Sequence, residues 1–362
     1  MSSGGSESRD AGRWRKRFAN LAGWCTRPPP AIAPTPHVIA HRENKLRLLH
    51  YQPRPAGLAF PTPILLVPSL INRHYVLDLA PGKSLVQHLV GQGHDVWCVD
   101  WGTPGPEDRY LDFDDYAGRY LGRCLRIAAR SSRGGKAHLL GYCMGGMFTV
   151  AHAAVDQRYV ASLIALAAPV RFEDDGLLAR WTESPDFDVD ALAEATGNVP
   201  WQLLQGSFNL LRPTLPLTKL VGVIDRADKD GFLDGFAALE AWANDNVSVP
   251  GAFYRTYIDK LYRGDAFVRG GLSVRGRPVR LGAITIPTLT IAFEQDTIAP
   301  VENCAALHEL VGSKDRKLLR LQGSHVGSVV SRRAASGVWA EISAWCAQRG
   351  EGSSTTGRSK RS

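Results

Sequence analysis

The short apolar run Ala137-His138-Leu139-Leu140 passes without a spacer into Gly141-Tyr142-Cys143-Met144-Gly145-Gly146, and from there into a stretch of small and apolar residues. No other feature restricts the fold as sharply. A tight turn from a buried strand into a helix leaves no room for side chains two residues either side of its central residue, and Gly141 and Gly145 meet that requirement. The pattern is a nucleophile elbow with cysteine where serine is more usual. It presents the Cys143 thiol at a helix N-terminus, where free N–H groups and the helix dipole favour negative charge, on a sulfur or on an oxyanion. The Met144 backbone N–H is the natural first oxyanion donor. The same six residues also read as a glycine cluster around an inert buried cysteine, but a strand on one side and a helix on the other argue against that.

Around this turn the chain alternates. Ile64-Leu65-Leu66-Val67 reads as a buried strand, Ser84 to Val90 as a helix ending at Gly91 and Gly93, and Val96-Trp97-Cys98-Val99 as a second strand. A longer helix is expected from Phe113 to Arg130, and a strand at Leu163-Ile164-Ala165-Leu166. Alternation stops between Arg171 and Arg280, a stretch rich in Trp, Phe, Leu and Pro that predicts short helices packed as a lid. Strands return at Thr288 to Phe293 and Leu318 to Leu321, before a last helix near Ala334 to Gln348. Strands alternating with helices predict an α/β fold with a mostly parallel sheet covered on both faces, carrying an inserted, mainly helical cap. The expected organisation is a mobile basic, Pro-rich arm over 1–36, core over 37–170, cap over 171–280, core again over 281–349 and a disordered tail over 350–362. Within the arm, Trp14, Phe18, Leu21 and Trp24 recur at helical spacing beside arginines, as in an amphipathic helix on an apolar or anionic surface.

An elbow nucleophile requires an acid after a later strand and a histidine after the last one. Asp296 follows the strand Thr288 to Phe293, and His325 follows Leu318 to Leu321. His325 would draw the proton from Cys143, while Asp296 fixes the imidazole tautomer and supports the imidazolium. Glu294, at the same strand end, is the competitor for the acid role. A second oxyanion donor is expected from the loop Pro68-Ser69-Leu70-Ile71-Asn72, with the Leu70 N–H the chosen candidate. Asp78, farther along that loop, reads as structural.

The six cysteines have no CxxC or CxxH spacing, which points away from a zinc site or a disulfide framework. A formal charge of +8 favours anionic ligands, the phosphates of coenzyme A among them, but much of the excess sits at the two ends. No nucleic-acid motif, metal site or dinucleotide fingerprint is present. With no apolar run of eighteen residues and no leader-like start, the expectation is a cytoplasmic protein without a transmembrane segment. A thiol elbow leans towards acyl transfer, because exchange with an acyl-CoA trades one thioester for another and keeps the transfer potential of the acyl group.

On these residues the chain resembles polyhydroxyalkanoate synthases of the α/β-hydrolase superfamily, in the short, class III form. The resemblance runs from about Leu65 to Trp345 and rests on Gly141 to Gly146, on Pro68 to Leu79, on Asp100-Trp101-Gly102, and on Gly270-Gly271-Leu272 with Val279-Arg280-Leu281 and Ile286-Pro287. It implies Cys143, Asp296 and His325 as the catalytic set, a hydroxyacyl-CoA substrate, a growing polyester chain and no cofactor, acyl-CoA being substrate. It further implies a second synthase subunit, a homodimer and residence at the polyester granule surface. The chain departs from the family pattern at Thr297, where a histidine is common, and at Ser324, where glycine is common. A thiol-type intracellular polyester depolymerase or an acyl-CoA thioesterase would use the same triad. A non-catalytic granule-associated protein would need none of it.

Overall fold

The computed structural model describes residues 4–24, 26, 31–174, 176–211 and 215–350. Its frame is an eight-stranded sheet: β1 His37–Glu43, β2 Leu46–Tyr51, β3 Phe60–Val67, β4 His94–Asp100, β5 Ala137–Tyr142, β6 Val160–Leu166, β7 Thr288–Phe293 and β8 Arg316–Leu321. The spatial order is β1-β2-β4-β3-β5-β6-β7-β8. From β4 to β8 neighbouring strands are parallel, and β4, β5 and β7 are buried along their whole length. Burial on both faces is why these segments read as unbroken apolar runs. Two buried clusters lie against the sheet. One contains Leu65, Leu139 and Phe148, the other Leu66, Leu140 and Trp339.

The helices are α1 Gly4–Trp24, α2 Leu85–Gln92, α3 Leu121–Ala129, α4 Met144–Val155, then α5 Leu177–Glu183, α6 Val189–Thr196, α7 Trp201–Leu211, α8 Leu215–Arg226, α9 Phe232–Asn244, α10 Gly251–Arg255 and α11 Ala266–Arg269, and finally α12 Val301–Leu310, α13 Gly327–Val330 and α14 Val338–Arg349. The Ser84 hydroxyl caps α2 by accepting from Gln87 N–H, and Gly93 closes the helix with φ 94°. Helices α5 to α11 fill the interval between β6 and β7, where alternation was expected to stop. Among the described residues, strand there is limited to two-residue ladders. Among the described residues no helix is long and apolar enough to cross a membrane.

One part of the fold differs from expectation. The antiparallel pair β1 and β2 was not anticipated, because the outer strand β1 is largely exposed and carries His37, His41, Arg42 and Glu43. Its charges hide the strand in the sequence and also blunt an open sheet edge. Within the arm expected over 1–36, Gly4–Trp24 form α1. Arg17, 8% exposed, donates from Nε to Asp228 Oδ1 at 3.0 Å, and Asn20 donates to Ala227 O at 2.7 Å. Leu21 and Trp24 pack against Val223, Ala227 and Leu233. Arg17, part of a basic stretch that suggests a solvated end, meets a carboxylate 211 positions away, a pairing that local sequence does not reveal. Pro28 to Pro30 and residues 351–362 of the expected tail lie outside the described residues.

Asp78 is fully buried and accepts hydrogen bonds from Thr35 N at 3.0 Å, Thr35 Oγ1 at 2.7 Å and Ser84 Oγ at 2.6 Å. Its partners are all structural. It fastens the segment before β1 to the start of α2.

Candidate active site

Strand register sets the site. Val67 of β3 lies beside Gly141 of β5, which lies beside Ala165 of β6, and Phe293 of β7 pairs with Leu321 of β8. The carboxyl ends of these strands therefore share one edge of the sheet, where open α/β folds bind ligands. The loop after β3, the elbow after β5 and the loops after β7 and β8 all emerge there.

Cys143 connects β5 to α4 with φ 55° and ψ −126°, a conformation that a non-glycine residue holds only when its surroundings impose it. The imposition is visible in the glycines. A Cβ on Gly145 would sit 2.0 Å from Val67 O and 2.5 Å from Pro68 O, and one on Gly141 would sit 2.4 Å from Gly146 Cα and from Thr149 Oγ1. The elbow is thus pressed against the end of β3. Gly145→Ala must push that backbone away, at a cost of about 1–3 kcal/mol. We expect a lower thermal midpoint together with lost activity; an unchanged midpoint in calorimetry would contradict the packing.

His325 and Asp296, each 6% exposed, meet in the loops after β8 and β7. His325 Nδ1 lies 2.6 Å from Asp296 Oδ2. Asp296 Oδ1 accepts from Ile298 N and Ala299 N, both at 2.9 Å, so one oxygen anchors the loop and the other faces the imidazole. With Nδ1 engaged, Nε2 is left for the Cys143 sulfur. Burial alone would lower the His325 pKa, but the hydrogen-bonded Cys143 sulfur and Asp296 carboxylate raise it, to about 10. The protonated imidazole is favoured, the form that results when His325 takes the thiol proton.

Glu294 is elsewhere. Its carboxylate pairs with Arg320 at 3.0 Å on the surface, and Arg320 also reaches Glu302. Leu70 is buried in the loop after β3, whose start is held by Trp101 Nε1 donating to Pro68 O at 3.0 Å. Met144 is the first residue of α4, so its N–H has no partner within the helix. Sequence reasoning missed Gln295, which clasps the two loops: its N–H donates to Gly323 O at 2.9 Å, and its side-chain oxygen accepts from Gly323 N. Nothing in a lone glutamine between two rival carboxylates signals that role.

Among the described residues Cys98, Cys124, Cys304 and Cys346 are buried, and burial pushes each thiol up in pKa; Cys143 is the half-buried one. A cavity of about 40 Å³ lined by Phe172, Leu178, Tyr262, Thr297 and Ile298 adjoins the acid loop. A cleft of about 570 Å³ lined by Arg119, Arg126, His152 and Arg275 includes no residue of the elbow or of the acid and histidine loops.

Comparison with known proteins bears on the fold and the family. Residues 62–329 match the family model described as alpha/beta hydrolase fold, and residues 30–89 match the N-terminus of poly-beta-hydroxybutyrate polymerase (PhaC). A thermophilic esterase from Thermogutta terrifontis superposes with a TM-score of 0.54 at 16% identity, covering 86% of this chain and 99% of its own, which speaks for the fold. The poly(3-hydroxyalkanoate) polymerase subunit PhaC of Haloferax mediterranei is 36% identical over 89% of this chain and 65% of its own length. Those of Allochromatium vinosum and Synechocystis sp. are 34% and 31% identical, each over 87% of this chain, and over 89% and 85% of their own lengths. At this level of identity, with the hydrolase frame and the PhaC N-terminal match on one continuous chain, the protein belongs to the PhaC family of poly(3-hydroxyalkanoate) polymerases.

Proposed function

We propose that the chain is an acyltransferase that polymerises (R)-3-hydroxyacyl-CoA into polyester through an acyl group carried on Cys143. The observation that carries the reading is His325, fixed by Asp296 through Nδ1 and turned by its other nitrogen to a cysteine on a nucleophile elbow. In acylation the thiol proton moves to His325 Nε2 and the sulfur attacks the thioester carbonyl. The oxyanion is held by the N–H groups of Met144 and Leu70. Collapse of the tetrahedral intermediate breaks the bond to the CoA sulfur, which leaves with the proton from His325 as free CoA. In elongation a chain-end hydroxyl gives its proton to His325 and attacks the Cys143 thioester, forming an ester and restoring the thiol. Side chains and backbone N–H groups supply every step, with acyl-CoA as substrate.

Hydrolysis would use the same groups with water as the acceptor. Two features oppose it: the deep burial of Asp296 and His325, and a cap, residues 171–280, that we assign to shielding the acyl-enzyme from water. Dependence on a second subunit and residence at the polyester surface belong to the same proposal. The test is incubation of the protein with 3-hydroxybutyryl-CoA, following free CoA and insoluble polymer together. Both are expected to appear. CoA release that yields only free hydroxyacid would replace this reading with a thioesterase.

A further inference from the structure

The loop leaving β3 does not choose its own position. Between Ile71 and Tyr75 it is tied to the end of α9 and the residues that follow. Ile71 O accepts from Val247 N–H at 3.0 Å, and Trp242 Nε1 donates to Arg73 O at 3.0 Å. Asn72 and Asn246 form an isolated antiparallel bridge, with the Asn72 side-chain amide donating to Asn246 Oδ1. Asp245 gathers the rest: Oδ1 accepts from Arg73 Nε at 3.0 Å and Oδ2 from the Tyr75 hydroxyl at 2.8 Å. Trp242 and Tyr75 are buried, and burial together with the Asp245 carboxylate pushes the Tyr75 hydroxyl up in pKa.

What these ties are worth decides what they are for. The side chains of Arg73 and Asp245 are 28% and 43% exposed, and an ion pair so open to solvent adds less than about 1 kcal/mol of stability. Position is another matter. The elbow is in contact with the end of β3 through Gly145, so any shift of the following loop moves an oxyanion donor relative to Cys143. A misplacement of about 1 Å in such a site costs on the order of 10²-fold in rate. We infer that Asp245 is a positioning residue: through Arg73 and Tyr75 it holds the backbone of Ser69 to Asn72 where an oxyanion is bound, so that the cap sets the rate of acylation as well as access to the site. This rests on the proposed role of Cys143 as the acylated nucleophile.

The experiment compares wild type, Asp245→Ala and Tyr75→Phe in three assays: acylation by 4-nitrophenyl acetate, CoA release from 3-hydroxybutyryl-CoA, and alkylation of Cys143 by iodoacetamide read by peptide mass. Asp245→Ala is expected to lower kcat by about 10–100-fold with KM changed by less than about 2-fold. Alkylation, which needs the sulfur but no oxyanion donor, stays at the wild-type rate. Tyr75→Phe, which removes one hydrogen bond with little change of volume, acts in the same direction by about 3–10-fold and decides the matter alone if Asp245→Ala does not fold. A kcat within about 2-fold of wild type in the variants overturns the inference. So does a parallel loss of alkylation, the mark of a disordered elbow. A wild type that the ester acylates but that releases no CoA from the hydroxyacyl thioester defeats the polymerase reading and leaves this one standing.

Discussion

Replacing Cys143 by alanine is expected to lower CoA release from 3-hydroxybutyryl-CoA by about 10⁴-fold or more and to leave no insoluble polymer. The effect is large because no other cysteine among the described residues is placed to take over. Cys98, Cys124, Cys304 and Cys346 are buried in apolar surroundings that disfavour their thiolates, and none of them lies on the elbow. The variant should fold. Alanine retains the Cβ, so the turn at φ 55° is neither relieved nor further strained, and the glycines that define it are untouched. Single-turnover measurement of free CoA, with circular dichroism as the folding control, checks both halves. Activity within tenfold of wild type in a folded variant would remove Cys143 from the mechanism.

The second large effect separates two carboxylates at one strand end. Asp296→Asn is expected to reduce kcat by about 10²–10⁴-fold, whereas Glu294→Gln changes it by less than about 2-fold. Asparagine can still accept from Ile298 and Ala299 N–H through its oxygen, so the loop keeps its anchor. Its amide, however, would face His325 Nδ1 with a donor. That drives the ring proton to Nε2, the nitrogen that must accept from the thiol. Glu294 pairs with Arg320 at the surface, where a neutral replacement costs little. Steady-state rates of CoA release from the two variants decide the assignment, and a larger loss in Glu294→Gln would reverse it.

The turn at Cys143 and the loops that carry Asp296 and His325 were legible because each is a local event at a strand end. Gly141 and Gly145 state a steric need within six residues, and the run Thr288 to Phe293 coincides with β7. What stayed hidden depends on partners distant in the chain. Arg17 reads as a solvated charge until Asp228 is brought to it, β1 reads as a charged segment until β2 pairs with it, and Gln295 has no visible role until Gly323 arrives. Asp245 is the clearest case, since its partners Arg73 and Tyr75 lie 172 and 170 positions away. A choice between Asp296 and Glu294 could be argued from loop geometry. That Glu294 has another partner could not.

The place of β8 in the sheet has a consequence for how such a molecule fails on heating. It is the outermost strand on its side, half-exposed along its length, and His325 hangs from its carboxyl end, clasped to the loop of β7. Peripheral strands open in sub-global fluctuations well before a central core does. Fraying of this border would release the proposed base and its acid together while β5, β3 and the turn bearing Cys143 stayed packed. Such a species would retain a reactive sulfur and lack proton transfer, so inactivation on warming would precede cooperative melting.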